Sequence, residues 1–207
     1  MRVIKAHAEL VGDLDGAEVM ARLERAGRVC YKSEGNISDG SAEQFIGNII
    51  RRGHESVIEH VSVTMHLICD RGVSHEIVRH RLASYSQEST RYCNYASGKF
   101  GNELTFIEPC YWSEGSREYG LWLEAMESAE RFYLEMLAVG AKPEEARSVL
   151  PNSLKTELYM TANLREWRHF LKLRTSSRAH PQMRELALQI KDILTSKLPI
   201  IFGDITV

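Results

Sequence analysis

Between Arg79 and Arg91 the chain packs three guanidiniums, one imidazole and the hydroxyls of Ser84, Ser86, Ser89 and Thr90 into thirteen positions. Arginine presents a planar fork of donors that matches phosphate oxygens two at a time, and each charge-assisted bond of this kind contributes roughly 1.5–3 kcal/mol. Serine and threonine add donors that fix orientation. The composition therefore suits a phosphate-bearing ligand, with a solvated basic loop as the plainer alternative.

A second arginine can be weighed by position. In the helix expected from Leu164, the residues Trp167, Phe170 and Leu171 form an i, i+3, i+4 apolar stripe, and Arg174 continues it one heptad on. A guanidinium on an inward face needs an anionic or polar partner, because a buried charge without one costs several kcal/mol, on the order of 3–5. That partner is either a carboxylate of the fold, such as Glu145 or Glu157, or a ligand. Arg81 likewise interrupts the stripe begun by Ile77 and Val78, whereas Arg79 shares a face with His75 and Glu76. The two arginines should then serve different parts of a bipartite pocket. His54 follows the helix-terminal Gly53, where a capping or surface role competes with ligand contact. Glu76 and His80 at i, i+4 have the spacing of two ligands on one helical face, which His54/His60 and His75/His80 lack, and no metal site is expected from them. Tyr85, Tyr92 and Tyr95 could be ring platforms or packing.

The elements that must position these groups follow from periodicity. Residues 2 to 11 read as a strand, 17 to 29 as an amphipathic helix, and Ser41 to Gln44 as a capping box opening a helix that stops at Gly53. His60 to Asp70 alternates, with Val61, Val63, Met65 and Leu67 on one side. Arg71 and Gly72 break that strand, and 73 to 82 reads as a short helix delivering the Arg/Ser segment. A strand at 103–107 precedes a long helix over 116–139, with Leu121, Ala125, Ala129, Phe132 and Met136 as its inward stripe. Pro143 opens another short helix, 153–161 reads as a strand, and helices over 164–176 and 181–197 complete the chain. No clean βαβ unit joins the strands. The expected fold is α+β, with a mostly antiparallel sheet, in one domain over 1–207.

Composition narrows the function. At 207 residues with 43% hydrophobic and 26% charged residues, the chain has the make-up of an ordinary globular domain. A net charge of −2 removes the electrostatic case for general nucleic-acid binding, although 18 of the 26 cationic side chains are arginine. Cys30, Cys69, Cys93 and Cys110 form no CxxC pair and read as reduced thiols. With no leader-like start and no apolar run long enough to span a membrane, a cytoplasmic location is expected. A non-catalytic nucleotide or RNA-binding module built on the Arg/Ser loop is the alternative to an enzyme.

The order of the Arg/Ser segment adds a resemblance. Arg79, His80 and Arg81, then Ser84, Ser89 and Arg91, fit the signature of the flavin-dependent thymidylate synthases at every specified position. Gly53 to His60 resembles that family's GHxSxxEH block, and Asn163 through Arg174 its C-terminal flavin and substrate segment. The resemblance implies methylation of dUMP to dTMP with FAD, NADPH and methylenetetrahydrofolate, without a cysteine nucleophile, in a homotetramer with active sites at subunit interfaces. It implies flavin contacts by His54, Ser56, Arg79, His80, Arg81, Gln87, Asn163, Arg165 and His169. Glu76, Arg79, Gln87, Glu88, Ser89, Arg91, Arg147 and Arg174 are implied for dUMP, with Arg174 as the catalytic group.

Overall fold

The computed structural model describes residues 1–95 and 103–207. Its centre is an antiparallel sheet of four strands in the order β2 (His7–Leu10), β3 (Ser62–Asp70), β6 (Lys155–Asn163) and β4 (Ala83–Gln87). A separate parallel pair joins β1 (Arg2–Ile4) to β5 (Thr105–Ile107). In β3 and β6 the alternation expected from sequence is realised. Val63, Met65 and Leu67 on one strand and Thr156, Leu158, Met160 and Ala162 on the other are buried on the same face. Helices α1 (Gly16–Val29), α2 (Ser41–Arg51), α6 (Leu164–Arg174) and α7 (Pro181–Lys197) supply the rest of that core. A smaller core lies under α4 (Arg117–Ala138), where Trp122, Met126 and Tyr133 pack with Phe106 and Leu154.

Four expectations are corrected. Residues 2 to 11 are two strands that break at Lys5 and Ala6, because the first pairs with β5 and the second with β3. The capping box at Ser41 does not form: Gly40, at φ 75°, caps α2, and the Ser41 hydroxyl donates instead to the Glu24 carboxylate at 2.8 Å. The helix entering the Arg/Ser segment, α3 (Arg71–Ile77), ends early, and Ala83 to Gln87 leave it as the edge strand β4. Tyr85 accounts for the stop, since its hydroxyl sits 2.9 Å from the Ile77 carbonyl and 2.6 Å from that of His80, tying off the turn. On α4 the inward face is not the Leu121 stripe: Leu121 and Phe132 are 56% and 50% exposed, while the Trp122 indole is buried and donates to the Ser153 hydroxyl at 3.1 Å. Polar tethering of the larger ring decides which face turns in.

Two short turns of helix, α5 (Pro143–Ala146) and α8 (Pro199–Phe202), complete the set. The second is fixed by Arg168, which is 2% exposed. Its fork meets Asp204 through two bonds of 2.6 and 2.7 Å, its Nε meets Glu55 at 3.1 Å, and the Ile201 carbonyl accepts from it as well. Arg168→Ala should therefore destabilise the protein by roughly 3–5 kcal/mol in urea unfolding, with Arg168→Lys recovering little because an ammonium cannot form the paired contact.

Candidate active site

Two helices carry the site, and each starts from the last residue of a central strand. Asp70 ends β3 and caps α3, its carboxylate accepting from Val73 N at 2.6 Å. Burial raises the pKa of this carboxyl, and the amide bonds of Val73 and Gly72 oppose that rise. Asn163 ends β6 and caps α6, accepting from Glu166 N at 2.9 Å.

The C-terminal ends of these helices meet at Arg174. Its Nη1 donates to the Glu76 carboxylate at 2.7 Å, its Nη2 to the Glu76 carbonyl at 3.2 Å, and its Nε to His80 Nε2 at 3.1 Å. The other ring nitrogen of His80, Nδ1, lies 3.1 Å from Glu166 Oε1. His80 and Glu166 are both buried, and the His80 ring packs 4.8 Å from that of Phe170. Burial lowers the pKa of His80 and the Arg174 charge adds to this, while the hydrogen bond to Glu166 pulls the other way. Arg174 thus meets a carboxylate of the fold while also lining a recess open to ligand. The partner is Glu76, not Glu145 or Glu157.

Arg174 and His80 line a recess of about 390 Å³ together with Arg79, Arg81 and His169. Beside it, sharing Leu82, Glu166 and His169, lies a cleft of about 650 Å³ rimmed by Asn163, Arg165 and Lys172. The structure thereby brings Arg79, His80, Arg81, Asn163, Arg165, His169 and Arg174 together. Arg81 reaches the recess from the exposed turn after α3 and not from an inward helical stripe. Arg165 is exposed and paired with Glu59 at 2.5 Å. His54 and Ser56 line a different pocket of about 480 Å³, between α1 and α2, with Tyr31 and Arg52.

The remaining residues implied for dUMP divide further. Arg147 lines a small recess of about 130 Å³ with Arg71, His75, Thr90 and Asn152. Gln87 turns inward, donating to the hydroxyls of Ser74 at 3.0 Å and Thr156 at 3.2 Å. Glu88 is taken up by Lys155 at 3.2 Å and by the Tyr95 hydroxyl at 2.9 Å, so its carboxylate serves the fold. Arg91 is paired with Glu144 at 3.0 Å, and the Ser89 hydroxyl accepts from Arg91 N at 3.2 Å. Neither Arg71 nor Arg147, nor Arg79 nor Arg81, forms an ion pair among the described residues. Two groups escaped the sequence reading. Glu166 reads as an ordinary first-turn acid of α6, and only its burial beside His80 marks it. Arg71 reads as a strand breaker, although it opens α3 and lines the same recess as Arg147.

His80, Glu166 and His169 place one potential ligand atom each within 4.8 Å of one another. Arg174 uses the His80 Nε2 lone pair, and Glu166 uses Nδ1. A cation would have to displace one of these bonds beside a permanent positive charge, so the hydrogen bonding opposes a metal here.

An α+β chain with an arginine-lined double recess over an antiparallel sheet fits an enzyme that handles phosphorylated ligands. Its family follows from comparison: residues 10–200 match the family described as thymidylate synthase complementing protein, and the chain belongs to it. It is 32% identical to the flavin-dependent thymidylate synthase of Corynebacterium aurimucosum, covering 93% of this chain and 82% of that protein. Against the enzyme of the same name from Geobacter sulfurreducens the identity is 34%, over 89% and 81%. Among solved structures, the UMP/dUMP methylase PolB from Streptomyces cacaoi, bound with 5-Br dUMP, superposes with a TM-score of 0.80 at 26% identity. That alignment covers 98% of this chain and 96% of PolB.

The lowered His80 pKa has a sign that can be read in solution. Below the ordinary value of 6.5 the unfolded chain takes up a proton that the folded chain resists, so stability falls as pH drops through that window towards the lowered folded value. The fall in melting temperature between about pH 7 and pH 5 should be shallower in His80→Gln than in the unsubstituted protein, as followed by circular dichroism.

Proposed function

We propose that this chain is an FAD-dependent thymidylate synthase that methylates dUMP to dTMP, with methylenetetrahydrofolate as carbon donor and NADPH as reductant. The observation that carries this reading is the pair of arginine recesses, one holding Arg71 and Arg147 and the other Arg79 and Arg81, whose guanidiniums have no carboxylate partner among the described residues. A nucleotide substrate and a dinucleotide cofactor each need such a place for phosphate. The smaller recess, acid-free and of about 130 Å³, suits a single phosphate group.

The recess and the cleft beside it together offer a donor set that suits a flavin dinucleotide. Arg79 and Arg81, which line the recess without a carboxylate partner, would hold its phosphates, with His169 shared by both spaces and Asn163, Arg165 and Lys172 lining the cleft, where Glu59 pairs with Arg165 and Glu55 with Lys172. When bound, the flavin supplies reducing equivalents to the one-carbon unit delivered by the folate. The protein's own part is binding and electrostatics. Arg174, held by Glu76 and His80, presents a fixed positive charge to the pyrimidine and stabilises negative charge developing on the ring. Arg147 and Arg71 hold the phosphate end, with the Thr90 hydroxyl 3.5 Å from Arg147. Two of the thiols are poor candidates for a cysteine route: burial pushes the Cys69 thiol up and that of Cys110 up to about 11, the reverse of an activated nucleophile.

The reading extends to a cytoplasmic homotetramer built from one catalytic domain over 1–207, with active sites shared between subunits. The distribution of Ser56, Arg147 and Arg174 over three separate recesses supports sites completed across an interface. The described residues contain no helix long and apolar enough to cross a membrane.

Purified protein should carry flavin absorbance that bleaches with NADPH, and should form dTMP from dUMP only when methylenetetrahydrofolate is present. Replacing each cysteine in turn by Ala should leave dTMP formation measurable. Turnover that survives flavin removal, or that vanishes with Cys93→Ala alone, would contradict the assignment. For Arg174→Ala we expect retained flavin, weaker dUMP binding and methylation slower by about a hundred- to thousand-fold, with poor rescue by Arg174→Lys. Stopped-flow absorbance and dUMP titration on the two variants decide this.

A further inference from the structure

Arg174 meets a histidine through a nitrogen that must accept. An arginine Nε–H is always a donor, so the 3.1 Å contact requires an unprotonated Nε2 on His80. Neutral imidazole then carries its proton on Nδ1, and that N–H donates to Glu166 Oε1 at 3.1 Å. In the opposite tautomer two N–H groups would face each other between His80 and Arg174. Free imidazole has no built-in reason to choose the first arrangement, and among the described residues Glu166 is the acceptor that imposes it.

We infer that Glu166 is a positioning residue: its buried carboxylate locks His80 as the Nδ1–H tautomer, and that tautomer holds the Arg174 guanidinium in the orientation the pyrimidine site uses. The backbone around this relay is fixed at both ends. Asn163 caps the amide of Glu166 at 2.9 Å, and the Tyr85 hydroxyl holds the His80 carbonyl at 2.6 Å. Glu166 also borders both the recess of Arg174 and the cleft of Arg165, so it stands between the proposed substrate and flavin sides. Burial disfavours a second proton on His80, against the pull of the Glu166 hydrogen bond. The role of Arg174 rests on the proposed function, while the tautomer itself does not.

The test compares Glu166→Leu, which removes the acceptor at similar bulk, with Glu166→Gln, whose amide oxygen can still accept from Nδ1. Nitrogen-15 spectra of histidine-labelled protein report the tautomer of His80, its signals identified by their loss in His80→Gln. We expect the Nδ1–H pattern in unsubstituted protein and in Glu166→Gln, and its loss in Glu166→Leu. Turnover in Glu166→Leu should fall on the order of a hundredfold, as a misplaced group commonly costs, with flavin content kept and Glu166→Gln recovering most of the rate. Glu166→Leu keeping the Nδ1–H pattern, or losing melting temperature with unchanged turnover in what remains folded, overturns the inference. Should the unsubstituted protein make no dTMP while the tautomer follows residue 166 as stated, the proposed function fails and the relay stands. If dTMP forms and the tautomer ignores residue 166, the relay alone fails.

Discussion

The pairing of β3 with β6 is the constraint on which the rest depends. Nine residues of each strand run antiparallel in one register, from Ser62 opposite Asn163 to Asp70 opposite Lys155. Because side chains alternate, a slip of one residue would carry Val63, Met65, Leu158 and Met160 from the core to the open face. The register is therefore set by burial. It also fixes the two helix starts, since Asp70 and Asn163 lie at opposite ends of the paired strands and each caps the helix that comes after it. A nine-residue strand spans about 30 Å, while α3 and α6 extend about 10 Å and 16 Å at 1.5 Å per residue. From these two starts the end of α3 and the end of α6 meet where Arg174 finds Glu76 and His80.

The charged side chains divide into those that the fold consumes and those that it leaves free. Glu24 is buried with Arg28 at 2.7 Å and the Ser41 hydroxyl, joining α1 to α2. Arg168 is buried against Asp204 and Glu55, and the half-buried Glu88 is held by Lys155 and Tyr95. Each removes a cost that a lone buried charge would impose. Arg71, Arg79, Arg81 and Arg147 lie outside this scheme, and they face recesses. The buried ions are partnered, while these guanidiniums, exposed at Arg79, Arg81 and Arg147 and half-buried at Arg71, stay open where a phosphate can reach them. Arg174 stands between the two classes, paired by Glu76 and His80 yet lining a recess, which suits a group that must be oriented before ligand arrives.

The sequence by itself determined the elements whose cause is local. Alternation in β3 and β6, the Trp167, Phe170 and Leu171 stripe, the stop at Gly53 with φ 70°, and the order of the Arg/Ser segment are all written in neighbouring residues. The demand that Arg174 find an anionic or polar partner was legible too, because a helical stripe tells which face turns inward. The identity of that partner was not. Glu76 is 98 positions away in sequence, and only the register of two strands brings it near. For the same reason Ser41, a good capping residue by local rule, went to Glu24, and the Leu121 stripe lost to Trp122, whose ring found Ser153. The Arg/Ser segment appeared as one ligand-binding run, yet its edge-strand conformation sends Gln87 inward, gives Glu88 to the fold and leaves Arg79 and Arg81 at the recess. Glu166 carried no signal at all, since an acid in the first turn of a helix is ordinary until a histidine from 86 residues earlier comes to rest against it. Periodicity and capping act over a few residues and can be read along the chain; hydrogen bonds and ion pairs between distant segments exist only once tertiary packing has set the distances.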